Sequence, residues 1–158
     1  MMREEYPLKA ALELRRRELD RAKGALGEAR QAESAQEAKL TAAQARCDAH
    51  EALIAETRAA QKHRGLARAD ELQRDMDYDT RLRGRRSELA GEAASEQAFL
   101  SQARAHVATR MSELAKARAE NEAVLKHKER WEAERATIAG RRAEAEEDDQ
   151  NSVRFASE

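Results

Sequence analysis

Apolar positions in the first half of the chain recur every seven residues. One ladder runs Leu12, Leu19, Leu26, Glu33, Leu40, Cys47, Ile54. A second interleaves with it at 3/4 spacing: Leu8, Arg15, Ala22, Ala29, Gln36, Ala43, His50, Thr57. The first is strong and the second is small or polar, which describes an a/d seam with one thin side. The second half repeats the scheme. Leu100, Val107, Leu114, Asn121 and Lys128 form one ladder, and Ala103, Arg110, Ala117, Val124, Trp131 and Ile138 the other, with Leu82 and Leu89 leading in less regularly. After Pro7 no further proline occurs in the remaining 151 of 158 residues. Proline costs a helix interior roughly 3 kcal/mol against Ala, so its absence leaves long helix unopposed. Pro7 itself stands where a first helix would begin, and the first turn tolerates proline because the missing N–H would be unpaired anyway.

Two such halves predict an all-α fold: an antiparallel two-helix coiled-coil hairpin forming an elongated rod. In an antiparallel pair, facing residue numbers sum to a constant. A sum near 154 sets Ile54 against Leu100, Cys47 against Val107, Leu40 against Leu114, Glu33 against Asn121 and Ala22 against Trp131. That register predicts arms over about 7–74 and 80–143 with a turn near 75–79, in Asp75-Met76-Asp77-Tyr78-Asp79, where Asp suits turns and caps. Gly65 and Gly84 are competing breaks. Residues 1–143 then form one hairpin on the order of 100 Å long at 1.5 Å per residue. The acidic run Glu144, Glu146, Glu147, Asp148, Asp149 opposes the helix dipole, and 144–158 is expected to be a disordered tail.

Composition narrows the class. Charged residues make up 39% and aromatics 3%, and Ala supplies 35 of the hydrophobic residues, which leaves few large side chains for a thick core. Net charge is −1 with interspersed signs, so nothing electrostatic favours nucleic acid. The single cysteine excludes an intrachain disulfide framework, no secretory h-region is visible, and no apolar run approaches the ~18 residues of a membrane span. The expectation is a cytoplasmic, non-enzymatic protein with no cofactor and no metal. Cys47 and His50, at i and i+3, nominally share a ligand face, but two ligands make no metal site and both occupy seam positions. His63, His106 and His127 are scattered and read as solvated.

Candidate contacts are few. Arg15, Arg16 and Arg17 approach Lys126, Lys128 and Arg130 in the 154 register and read either as a solvated face or as a basic collar for an acidic partner. Trp131, the only tryptophan, reads as seam core with a potential contact role. Val153 and Phe155 have no seam role.

The opening Tyr6-Pro7-Leu8, then Leu12, Leu14-Arg15 and Arg17-Glu18, resembles the start of the YscO (SctO) family, the FliJ-like coiled-coil stalk proteins of type III secretion. Trp131 in a charged helix, Ile138 and the closing acidic run fit as well. The resemblance implies a central stalk that enters a hexameric secretion ATPase, promotes its activity and links it to an export gate protein, some members also binding export chaperones. Its implied location is the cytoplasmic face of the inner membrane, reached through the secretion apparatus. Carried over, the motif positions are Tyr6, Pro7, Leu8, Leu12 and Trp131. The basic residues become candidate ATPase contacts, and the expected tip at Met76 and Tyr78 a candidate gate contact. The alternative from the seam alone is a generic coiled-coil adaptor or chaperone-like protein.

Overall fold

In a computed structural model of the protein, residues 5–65 and 68–156 are described, the side chains of 151–156 excepted. Two helices account for nearly all of them: α1, Lys9–Arg64 (56 residues), and α2, Ala69–Ala156 (88 residues). They pack against each other antiparallel, and the fold is an all-α helical hairpin. By contacts the chain divides into a terminal unit (residues 1–24 with 112–158) and a unit containing the helix connection (residues 25–111).

The heptad ladders are the packed face. Leu12, Leu26, Ala29, Leu40, Ala43 and Ile54 are buried on α1, and Leu82, Leu89, Leu100, Leu114 and Asn121 on α2. Leu19, Glu33, Cys47 and most of the small or polar ladder are half-buried between them. Leu82 and Leu89 are regular members after all, because steps of seven carry them through Glu96 to Ala103.

The turn lies elsewhere than expected. α1 ends at Arg64, Gly65 takes a φ of 73°, and α2 begins at Ala69, so residues 75–79 are helical and belong to α2. The left-handed conformation at Gly65 is the usual way to close a helix, and it costs glycine little. Lys62, His63 and Arg64 complement the C-terminal dipole of α1, and Asp70 and Glu71 the N-terminal dipole of α2. Glu71 also reaches back to accept the Arg68 backbone N–H at 3.1 Å, half of a capping box. Arg64 closes the connection with an ion pair to Asp75 at 3.2 Å.

The register moves with the turn. In the connection-bearing unit Gln36 meets Glu96, His50 meets Leu82 and Arg46 meets Glu92, while in the terminal unit Arg15 meets Glu120 and Tyr6 meets Trp131. These numbers sum to about 135 rather than 154, a shift of about three heptads. A shift by whole heptads keeps every ladder residue on the seam, so seam membership survives while the proposed partners do not. Glu33 faces Arg104 instead of Asn121, and Trp131 faces Tyr6 instead of Ala22.

The C-terminal expectation also changes. α2 continues through the acidic run to Ala156. Ile138 extends the ladder but is 42% exposed; in this register the start of α1 and Tyr6 lie opposite residues 124–131, so the facing α1 residues among those described end short of Ile138. The side chains of Val153 and Phe155 lie outside the described residues.

Three outcomes check this account. Gly65→Ala should destabilise by about 1 kcal/mol through the left-handed backbone. Gly84→Ala, inside α2 with open space around the added Cβ, should stabilise by about 0.5–1 kcal/mol, both read from urea unfolding. In a Cys47→Ala background, cysteines at Gln36 and Glu96 should cross-link within one chain, and the pair at Leu40 and Leu114 should not.

Candidate functional site

The most elaborate side-chain cluster in the terminal unit sits where α1 begins. Pro7 and Leu8 form a turn that ties the Tyr6 carbonyl to the Lys9 N–H at 3.1 Å and the Leu8 carbonyl to the Leu12 N–H at 3.0 Å. This turn swings the Tyr6 ring onto α2, where it is 8% exposed. Its hydroxyl is hydrogen-bonded to Nδ1 of His127 at 2.8 Å, with the Val124 carbonyl oxygen at 3.5 Å. Its ring meets Trp131 edge-on, with centroids 5.6 Å apart at 63°, a favourable quadrupolar arrangement. His127 adds a tilted ring contact at 5.8 Å, and the Arg135 guanidinium lies 5.8 Å from the Trp131 ring centre.

The sequence placed Tyr6 and Trp131 among the signature residues without bringing them together; the structure puts them in contact. Leu12 is buried one turn further along, and Leu8 is 41% exposed. His127 is exposed, in line with its reading as solvated, but its contact with Tyr6 is what sequence reasoning missed. Its spacing of i−4 from Trp131 was the available signal, since that spacing puts both rings on one helix face.

The two basic groups do not meet. Residues 126–130 lie opposite the start of α1, whereas Arg15 lies opposite Glu120, so the groups are about ten residues apart along the pair. Arg15 is also occupied. It is bonded to Glu18 and to Glu120, each at 2.7 Å, and these neighbours raise its pKa above the ordinary value, the Glu18 hydrogen bond contributing most. Lys128 is half-buried and pairs with Glu132 at 3.4 Å. Arg16, Arg17, Lys126 and Arg130 are exposed.

In the connection-bearing unit, Met76 and Tyr78 are 59% and 38% exposed, with Arg81 against the Tyr78 ring. They stand on the third turn of α2 and not at the tip. Leu72, 55% exposed, shares a groove with Met76, Gly65 and Gln61. Cys47 and His50 line another groove with Glu51, Arg86, Leu89 and Ala90. His50 donates from Nε2 to the Leu82 carbonyl at 2.8 Å, which fixes its tautomer and occupies that nitrogen. Among the described residues no three His, Cys, Asp or Glu side chains are grouped to hold a metal, and no helix is long and apolar enough to cross a membrane.

The molecule is thus defined as a helical hairpin whose distinctive chemistry is an aromatic clasp and exposed charge. A solved structure described as that of a "putative YscO homolog CT670 from Chlamydia trachomatis" has the same fold. The TM-score is 0.81, with 94% of this chain and 93% of that chain covered, at 21% identity. The YscO-like hairpin expected from the two ends of the sequence therefore has its counterpart in fold over nearly the whole chain. No protein-family model matches the chain, and no curated protein matches it.

The clasp and the ion pair differ in weight. Tyr6→Ala should cost about 3 kcal/mol, as for removal of a buried aromatic ring, and Tyr6→Phe about 1 kcal/mol for the lost hydrogen bond. Arg15→Gln should cost less than about 1 kcal/mol and lose its effect in high salt. Urea unfolding at two ionic strengths measures all three.

Proposed function

We propose that this chain is a non-enzymatic stalk and coupling protein of a type III secretion export ATPase. It inserts into the hexameric ATPase, promotes its activity and links it to the export gate protein at the cytoplasmic face of the inner membrane, with export chaperones as further partners. The observation that carries this reading is the shared fold with a protein described as a YscO homologue, over both chains nearly end to end. The contact of Tyr6 with Trp131 supports it independently, because these residues carried the family resemblance from opposite ends of the sequence.

Within this reading the contact residues divide by exposure. Arg16, Arg17, Lys126 and Arg130 are free to meet an acidic ATPase surface. Met76 and Tyr78 are the proposed gate contacts. Tyr6, Leu12 and Trp131 act by holding the terminal unit together, since two are buried and the third is packed against Tyr6.

The test uses the purified chain and the type III secretion ATPase of its own organism. ATP hydrolysis should rise on adding the chain and saturate near one chain per hexamer. Charge reversal at Arg16, Arg17, Lys126 and Arg130 together should abolish the rise while helix content stays unchanged. Absence of both binding and stimulation by the unaltered chain would sink the proposal.

A further inference from the structure

The terminal unit contains a weak layer closed off by a strong one. Asn121 is only 9% exposed, and its Oδ1 has no hydrogen-bond partner. A buried acceptor without a donor opposes packing, because water would satisfy it. Around it the seam is mixed: Ala117, Val124, Leu125 and Lys128 are its half-buried neighbours on α2, and on α1 the half-buried Arg15 stands between the ladder residues Leu12 and Leu19. Beyond this layer, at the very start of α1, the Tyr6 clasp on His127 and Trp131 closes the pair again.

Opening the closure leaves Arg15 and His127 each with a partner. If the first turns of α1 lift away, Arg15 loses Glu120 but keeps Glu18 on its own helix. Asn121 Oδ1 becomes accessible to solvent, and His127, already exposed, exchanges the Tyr6 hydroxyl for solvent. No charge is stranded. Separation costs chiefly the burial of Tyr6 and Leu12, both concentrated near the chain's start.

We propose that Tyr6–Leu19 is a latch: a segment that opens from α2 as one cooperative unit, held shut by the Tyr6 clasp and kept openable by Asn121. The latch is distinct from ordinary fraying. A frayed end loses protection gradually from its first residue and is indifferent to a substitution on the opposite helix. A latch exchanges as a block and responds to both its clasp and its weak layer.

Amide hydrogen exchange on the full chain distinguishes them, with Ala43–Ile54 as the internal reference. The amides from Leu12 to Leu19 should share one opening rate. Asn121→Leu should slow that block about tenfold by removing the unpaired acceptor, and Tyr6→Ala should speed it about a hundredfold, the block responding more than the reference segment in both. Emission from Trp131, the sole tryptophan, should shift toward the solvent-exposed spectrum in Tyr6→Ala. The proposal is overturned by protection that rises residue by residue from Lys9 and ignores Asn121→Leu. It is equally overturned if both segments respond alike, since opening would then be global. Asn121→Leu is a stabilising change, so the test does not depend on a damaged protein.

Discussion

The phase of the heptad repeat governs everything else in this structure. A helix has 3.6 residues per turn, and a seven-residue pattern keeps one stripe facing a partner along its length. Here that stripe is economical. On α1 the large buried residues are Leu12, Leu26, Leu40 and Ile54, spaced by fourteen, with Leu19, Glu33 and Cys47 only half-buried between them. On α2 Leu100 and Leu114 keep the same interval. On α1 every second heptad thus carries a firm apolar contact, each contributing on the order of 1.5–3 kcal/mol, with half-buried groups between, while on α2 Leu82 and Leu89 are buried in successive heptads. The hairpin is held by a sequence of separate contacts more than by a continuous core.

Such a seam has a consequence for register. Because the ladders repeat every seven residues, sliding one helix by whole heptads still places ladder residues against ladder residues. The discrimination has to come from elsewhere. Part of it is the Gly65 connection, with Arg68–Glu71 and Arg64–Asp75 fixing its two sides. Part is the set of ion pairs between the helices: Arg104 forked to Glu33 and Glu37, Arg46 to Glu92, Arg86 to Glu51, and Arg15 to Glu120. An exposed pair of this kind contributes little, about 0–1 kcal/mol. Several of them nevertheless favour one alignment over shifted ones that would lose them together.

This explains which features could be read from the sequence. The ladders were legible because periodicity is a local property of each helix, and burial follows them almost residue for residue. The turn was not legible in the same way. Matching Glu33 with Asn121 favoured a register about three heptads too high, and the seam gave no penalty for the error. Moving the sum from 154 to about 135 moves the turn by roughly ten residues, which is the distance from Asp77 to Gly65–Arg68. The single left-handed glycine was the better signal, since aspartates are equally at home in the early turns of a helix. The contact of His127 was missed because an isolated histidine on a charged helix carries no pattern of its own; its role comes from Tyr6, 121 residues away.

The placement of the signature residues bears on how they should be understood. Tyr6, Leu12 and Trp131 lie inside or along the seam of the terminal unit, with Tyr6 more than nine-tenths buried. A buried ring cannot be the first point of contact for a partner unless the unit opens. Their effect on any assembly therefore passes through the shape and stability of the helix end they close. The exposed cations nearby, Arg16, Arg17, Lys126 and Arg130, make no such internal contribution and are the groups a partner can reach. A loss of function at Tyr6 that is restored by Asn121→Leu would then belong to the fold. A loss at Arg17 that no stabilising change restores would belong to the surface. The two classes of residue stand within a few turns of each other but answer to different physics, packing in one case and solvent-screened charge in the other.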